Sequence, residues 1–149
     1  MGLPVIERSI LINAPVERVF QLQDDPSLAP QVMVGLERVY DISRSEGRVG
    51  DTARFVFSVL GVPMEGRMTV LEWEANRKVV TRMEGALEAI FTSLIEPAGT
   101  GTRLTWRMDY KLKGGVFGRA LNALMVQRMN ERNLERSLEN AKRVCETPG

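Results

Sequence analysis

Between Val34 and Leu112 the chain alternates apolar and polar residues with a period of two, interrupted only by short turns. This alternation is typical of β-strands that pack one face on an apolar layer and expose the other to water. The connections are too short for the crossovers that parallel strands need, so consecutive strands must pair antiparallel. The sequence therefore predicts a meander of six antiparallel strands. The apolar face of the last strand carries Leu104, Trp106, Met108, Tyr110 and Leu112.

One further strand and two short helices are predicted ahead of the meander. The strand runs from Pro4 to Ile12 and has one charged residue, Arg8, on an otherwise apolar face. Asn13 is a good helix cap and Pro15 suits a first helical turn, so a short amphipathic helix should begin here. The helix ends at Asp24-Asp25-Pro26. A second short helix or turn is expected at residues 27–32, before the alternation starts.

A long terminal helix is predicted after Gly114-Gly115, because residues 116–145 contain no proline and only one glycine, Gly118. About 28 helical residues would extend ~42 Å, enough to cross a sheet of this size. The apolar residues of this helix form two clusters rotated by roughly 90° about its axis. The first consists of Phe117, Ala120, Leu121, Leu124 and Met125, and the second of Leu134, Leu138, Ala141 and Cys145.

Three charged residues, Arg128, Glu131 and Glu135, continue the first apolar cluster along the helix. Two interpretations remain open. In one, the helix bends on the sheet and the charges are solvated, pairing with neighbours one turn away. In the other, Arg128 or Glu131 projects into an internal cavity and orients the polar end of a ligand.

The residue types that the chain lacks restrict its chemistry. There is no histidine, which excludes Ser-His-Asp and Cys-His catalysis and histidine-based metal sites. The single cysteine, Cys145, cannot form an internal disulfide. We therefore predict no metal site and no cofactor.

Charge and hydropathy point to an ordinary globular protein. The 20 basic and 19 acidic residues leave a net charge of +1, so no nucleic acid partner is predicted. No apolar run approaches the ~18 residues of a membrane-spanning helix, and the N-terminus has no signal-peptide pattern. The 149 residues are expected to form one cytoplasmic domain, residues 1–149, as a monomer or homodimer.

Five local sequences occur in a characteristic order along the chain. Residues 10–20 join a strand to a helix through Ala-Pro, residues 25–30 form an Asp-containing second helix, and residues 49–55 form a glycine turn into a strand. Residues 101–106 begin the last strand with Gly-Thr-Arg, and residues 140–144 end the terminal helix. This combination resembles the START-like, or SRPBCC, superfamily. The resemblance is strongest to its polyketide cyclase/dehydrase branch and to the branch that is named after a carbon monoxide dehydrogenase component.

The resemblance implies an α+β helix-grip fold, in which a curved seven-stranded antiparallel sheet wraps around the C-terminal helix. Such proteins hold a largely apolar cavity between sheet and helix, with an entrance near the short helices. Where many members carry a tryptophan after the second helix, this chain has Gln31-Val32-Met33. Activities known on this fold include lipid binding, polyketide cyclisation and co-chaperone action, so the fold alone does not select one.

The candidate ligand-binding residues are large side chains on the inward faces of the predicted elements, together with one charge. Methionine suits a pocket that adapts to its ligand, although ordinary core packing is the alternative for this set. Tyr110 would be able to donate a proton to a bound carbonyl, unless its hydroxyl is satisfied within the core. The full set is Phe55, Phe57, Met68, Val70, Phe91, Trp106, Met108, Tyr110, Leu121, Leu124, Met125 and Arg128.

Three functions are compatible with this sequence. The first is binding of a small hydrophobic or amphipathic molecule, lipid- or polyketide-like, in the cavity. The second is an enzyme of the cyclase/dehydrase kind, which without histidine would work through a tyrosine, an arginine or a carboxylate. No catalytic residue is predicted, because no spacing marks a catalytic pair. The third is an assembly factor for a metalloenzyme, as the resemblance to the carbon monoxide dehydrogenase branch implies.

Overall fold

The computed structural model describes residues 5–59, 61–85, 87–112 and 123–147. Its elements follow the predicted order of one strand, two short helices, six strands and a long helix. The helices are α1 (Val16–Asp24), a 3-10 helix (Pro26–Gln31) and α2 (Ala123–Glu146). The strands are β1 (Val5–Ile12), β2 (Leu36–Tyr40), β3 (Thr52–Val59), β4 (Val62–Glu74), β5 (Lys78–Gly85), β6 (Leu87–Ala98) and β7 (Gly101–Leu112).

The seven strands form one antiparallel sheet in the order β1-β7-β6-β5-β4-β3-β2. Strands β2 to β7 pair with their neighbours along the chain, as a meander requires. Strand β1 pairs with β7, from Val5 opposite Asp109 to Ile12 opposite Thr102. The predicted seven-stranded antiparallel sheet with a C-terminal helix is thereby confirmed.

Two prolines next to turns lie within strands. Pro63 pairs with Ser58, and Pro97 pairs with Thr102. The β6–β7 turn needs only two residues, because Gly99 adopts a φ of +59° that suits a tight hairpin. The strands therefore continue almost to the turn, further than the composition of these loops indicated.

Helix α1 begins at Val16, with Pro15 in an extended conformation at the N-cap and no side-chain cap. The prediction that Asn13 caps this helix was wrong, because Asn13 lies two residues before the N-cap position. Its backbone N–H instead donates to the Glu146 carboxylate near the end of α2, at 2.7 Å. The beginning of α1 is thus tied to the last turn of α2.

The second apolar cluster predicted on α2 is buried as expected. Leu134, Leu138, Ala141 and Cys145 are each at most 4% exposed, and burial raises the pKa of the Cys145 thiol. The first predicted cluster falls on residues 117–125. Of these the structure describes only the backbone of residues 123–125.

The charged exception on β1, Arg8, pairs with the terminal helix. Its Nε donates to Glu135 at 3.0 Å, and its guanidinium lies 3.8 Å from Glu131. The two glutamates therefore pair with a strand of the sheet, and Glu131 also accepts a hydrogen bond from Gln127, one turn earlier on α2, at 3.2 Å. Arg128 is exposed.

Candidate functional site

The face of the sheet that packs against the helices carries three rows of side chains running across β4 to β7. Residues directly opposite one another in antiparallel strands point to the same side, so each row forms a continuous strip. The rows are Trp73, Val79, Ser93 and Trp106; Val70, Thr81, Phe91 and Met108; and Met68, Met83, Ala89 and Tyr110.

A cavity of about 150 Å³ lies over these rows. It covers the β4 and β5 residues of all three rows and stops short of Met108, Ala89 and Tyr110. Most of the side chains on this part of the sheet are apolar. The sheet therefore forms a mainly apolar floor of the cavity, in which Ser93 and Thr81 are the polar residues.

The opposite wall comes from α1 and the 3-10 helix. Helix α1 buries Val19, Phe20 and Leu22, and its last turn directs Gln23 and Asp24 towards the cavity. Val32 and Met33 line the cavity as well. Among residues 127–147, whose side chains are described, none lines the cavity.

Gln23 joins the two walls through its side-chain carbonyl. That oxygen accepts hydrogen bonds from the Trp106 indole N–H at 2.8 Å and from the Ser93 hydroxyl at 3.2 Å. Trp106 is 2% exposed and packs on Phe91, with ring centroids 5.6 Å apart. One half-buried amide thus satisfies two polar groups on the cavity floor.

Replacing Gln23 with leucine is expected to lower the free energy of unfolding by about 2 kcal/mol, because it leaves buried donors without an acceptor. Gln21→Leu is the matched control. Gln21 lies two residues away on the exposed side of α1, so its replacement should change stability by less than about 0.5 kcal/mol. Urea unfolding of both variants measures the difference, and equal stabilities would contradict the role assigned to Gln23.

A second polar cluster surrounds the Asp24 carboxylate. It accepts hydrogen bonds from the Trp73 indole N–H at 2.9 Å, from Arg48 at 3.3 Å and from Arg44 at 3.4 Å. The side chains of Arg44 and Arg48 are 35% and 25% exposed. This cluster therefore lies where the cavity approaches solvent, and its two guanidinium groups are balanced by the carboxylates of Asp24 and Asp25.

The loop between β2 and β3 holds these two arginines in place. The Asp51 carboxylate accepts from the Ser45 N–H at 2.8 Å, and this bond lowers the pKa of Asp51. Burial opposes the shift, whereas the nearby Arg48 charge supports it. Backbone hydrogen bonds from Gly50 to Val70 and from Val70 to Asp51 tie the loop to β4. The loop is thus part of the cavity wall rather than a separate surface feature.

The structure brings five of the predicted ligand-binding residues together around the cavity: Phe57, Met68, Val70, Phe91 and Trp106. Three others share the inner face without lining the described cavity: Phe55, Met108 and Tyr110. Of the helical candidates, Leu121 lies outside the described residues, and the side chains of Leu124 and Met125 are not described. Arg128 is exposed and lies away from the lining.

Sequence reasoning missed Trp73 because of an irregularity in β4. Alternation through Met68 and Val70 places Glu72 on the inner face and Trp73 outside. The strand instead contains a register shift between Val70 and Glu72, and Trp73 becomes the inward partner of Val79. A single extra residue in a strand reverses the side to which all later residues point. Gln23, Asp24 and the two loop arginines had no distinguishing signal in the sequence.

Two kinds of feature are absent from the described residues. Within them, no group of three or more histidine, cysteine, aspartate or glutamate side chains is arranged to hold a metal ion. No helix in the same part of the chain has the length and apolarity required to cross a membrane.

Comparisons with known proteins agree with this geometry. A family model described as polyketide cyclase / dehydrase and lipid transport matches residues 4–146. A solved structure from Thermus thermophilus has a TM-score of 0.80 at 25% sequence identity, covering 94% of this chain and 95% of its own. No curated protein sequence matches the chain.

Two further solved structures share the fold at lower identity. The Zhui aromatase/cyclase from a Streptomyces species has a TM-score of 0.83 at 14% identity, covering 97% of this chain and 94% of its own. A START superfamily protein from Mycobacterium smegmatis has a TM-score of 0.80 at 18% identity, covering 95% and 97% of the two chains. At these identities the likeness extends to the fold alone.

Proposed function

Because this chain belongs to the polyketide cyclase/dehydrase and lipid transport family, we propose that it binds a small apolar or amphipathic molecule in the cavity between the sheet and the short helices. Membership confirms the START-like resemblance seen in the sequence. The family covers both ligand binding and cyclase chemistry, so the choice between them rests on the site.

The observation that carries the proposal is the contrast between the apolar floor and the polar rim. Each charged side chain that lines the described cavity, among them Asp24, Arg44, Arg48 and Asp51, already has an ion-pair or hydrogen-bond partner in the protein. A ligand in the cavity would therefore contact mainly Met, Val, Phe and Trp side chains. This arrangement supports binding over cyclisation, which would require an acid or base free to act on the substrate.

The expected affinity follows from burial of apolar surface. A ligand that buries about 200 Å² would gain about 5 kcal/mol, before the cost of immobilisation is subtracted. Dissociation constants of about 0.2 mM or weaker are therefore expected for a simple apolar probe. Both tryptophans of the chain line the cavity, so quenching of intrinsic fluorescence reports occupancy directly.

The direct test is native mass spectrometry of the freshly purified protein, before and after addition of 2-ethylnaphthalene. The proposal expects either a co-purifying apolar molecule or stoichiometric uptake of this hydrocarbon, with matching tryptophan quenching. A clean apo mass without uptake of 2-ethylnaphthalene or its ketone analogue would contradict it.

Filling the cavity should block this binding. Met83 lines the cavity, and Met83→Trp is expected to weaken 2-ethylnaphthalene binding by about tenfold or more, because the larger ring occupies the guest's space. Arg82→Trp is the matched control, since Arg82 precedes Met83 on the same strand and is exposed on the other face. Similar affinities for the two variants, both folded by circular dichroism, would place the binding site elsewhere.

A further inference from the structure

The loop between β2 and β3 lies across the opening of the cavity. Four of its residues line the cavity: Ser43, Arg44, Arg48 and Asp51. The lining that faces them comes from the last turn of α1 and from the 3-10 helix. Since the cavity approaches solvent at this place, a ligand would enter between the loop and these two helices.

The loop is held together from within and is joined to the sheet. The Asp51 carboxylate accepts from the Ser45 N–H, and the Asp51 N–H donates to the Arg48 carbonyl at 2.9 Å. The Arg48 guanidinium also donates to the Ser45 carbonyl. Backbone hydrogen bonds join the two ends of the loop to β3 and β4. Residues 43–51 therefore form one internally bonded unit that is anchored on the sheet.

The contact between the loop and the helices is of a different kind. The Asp24 carboxylate accepts from both guanidinium groups, and Arg44 also donates to the Asp24 carbonyl at 3.0 Å. The Arg44 guanidinium lies 3.6 Å from the Asp25 carboxylate. Within the described ranges, no backbone–backbone hydrogen bond joins the loop to α1 or the 3-10 helix. Two arginine side chains thus make every hydrogen bond described between the loop and these helices.

These ion pairs are the contacts of the loop that break most easily. Both arginine side chains are partly exposed, and ion pairs in such positions add little net stability and weaken in salt. Arg48 also has a φ of +61°, a left-handed conformation that is costly for a residue with a side chain. The opening between loop and helices can therefore widen while the hydrogen bonds of the sheet stay intact.

We propose that Arg44 and Arg48 form an ionic latch on Asp24, which closes the cavity and sets the rate at which a ligand enters and leaves. This inference rests on the proposed function and adds the regulation of the same site. Because the latch joins protein groups to one another, weakening it accelerates association and dissociation together. Loss of a direct contact with the ligand would instead accelerate dissociation alone.

The test follows the exchange of 2-ethylnaphthalene by tryptophan fluorescence after a small temperature jump. The relaxation rate at a series of probe concentrations gives the association and dissociation rate constants. Asp24→Asn removes the charge that both arginines bind, and keeps an oxygen that accepts from the Trp73 indole. Both rate constants are expected to rise by about three- to tenfold.

A second variant and a matched control accompany Asp24→Asn. Arg44→Gln breaks one arm of the latch at its more exposed arginine and should raise both rate constants by about two- to threefold. Arg54→Met is the control, because Arg54 pairs with Asp41 next to the same loop and neither residue lines the cavity. Its rate constants should equal those of the native protein.

Salt gives a readout that needs no substitution in the latch. Sodium chloride at about 1 M reduces the screening length to about 3 Å. Exchange in the native protein should then accelerate by about two- to fivefold relative to exchange in Asp24→Asn. Comparison with this variant removes the effect of salt on the probe itself, because that effect is the same for both proteins.

Equal rate constants for native protein, Asp24→Asn and Arg44→Gln, with no difference in their response to salt, would overturn the inference, while binding of the probe kept the proposed function intact. A rise in the dissociation rate constant alone would also overturn it, since Asp24 would then contact the ligand directly. Failure of the native protein to bind 2-ethylnaphthalene or its ketone analogue would overturn the proposed function and this inference together.

Discussion

Gly66→Ala is expected to lower the free energy of unfolding by about 3 kcal/mol, equivalent to a fall in melting temperature of roughly 6–12 °C for a domain of this size. A methyl group at Gly66 would overlap the tip of the Phe55 ring and lie 2.6 Å from the backbone carbonyl oxygen of Glu84. The ring can turn aside only by leaving its buried position, and the neighbouring strand cannot retreat without losing its pairing. The sheet therefore accepts no side chain at this place.

Gly47→Ala is the matched control, because an added methyl group there has no neighbour within 4 Å. In thermal unfolding, the melting temperatures of the two variants should differ by the full amount expected for Gly66→Ala. Repeating Gly66→Ala in a Phe55→Leu background should reduce the loss by about 1 kcal/mol, since only the Glu84 contact remains. A Gly66→Ala protein as stable as Gly47→Ala would show that Phe55 does not rest on Gly66.

Trp106→Ala is expected to cost about 4 kcal/mol, the largest effect of any single change considered for this chain. The indole packs on Phe91, donates to Gln23 and forms part of the cavity floor. Its removal leaves a larger void and deprives the half-buried Gln23 carbonyl of one of its donors. A fall in melting temperature of roughly 8–16 °C should accompany the loss.

Trp106→Phe separates packing from hydrogen bonding. It keeps an aromatic ring on the cavity floor and removes only the N–H and part of the volume, so a smaller loss of about 1–2 kcal/mol is expected. Added indole should raise the melting temperature of Trp106→Ala, because an apolar void binds a molecule of matching shape and binding stabilises the folded state. The packing role assigned to Trp106 is contradicted if Trp106→Ala loses no more stability than Trp106→Phe and added indole does not raise the melting temperature of Trp106→Ala.

The sequence predicts the faces of the strands where the alternation is unbroken. Leu104, Trp106 and Tyr110 all point inward, and the exception on β1, Arg8, is explained by its pairing with Glu131 and Glu135. Alternation alone misplaces Trp73, because the register shift after Val70 reverses the direction of the side chains that follow. Alternation with a period of two does not indicate where a strand accommodates an extra residue.

The sequence predicted a largely apolar cavity but did not predict which side chains line it. Phe57 and Phe55 alternate on the same strand face, yet only Phe57 lines the cavity, because Phe55 rests on Gly66 of the adjacent strand. The spacing of α1 predicted a buried face but did not indicate that Gln23 bridges Trp106 and Ser93. Such contacts join residues 70 or more positions apart in the chain, and no local signal encodes them.

The sequence by itself therefore determined the order of the elements, the antiparallel meander and the exclusion of histidine chemistry. Each of these depends on the local stereochemistry of alternation, turn length and side-chain type. Only the tertiary structure decided which inward side chains border open space and which polar groups pair with one another. These properties depend on distances between layers of the fold, which strand register and helix position set jointly across the whole chain.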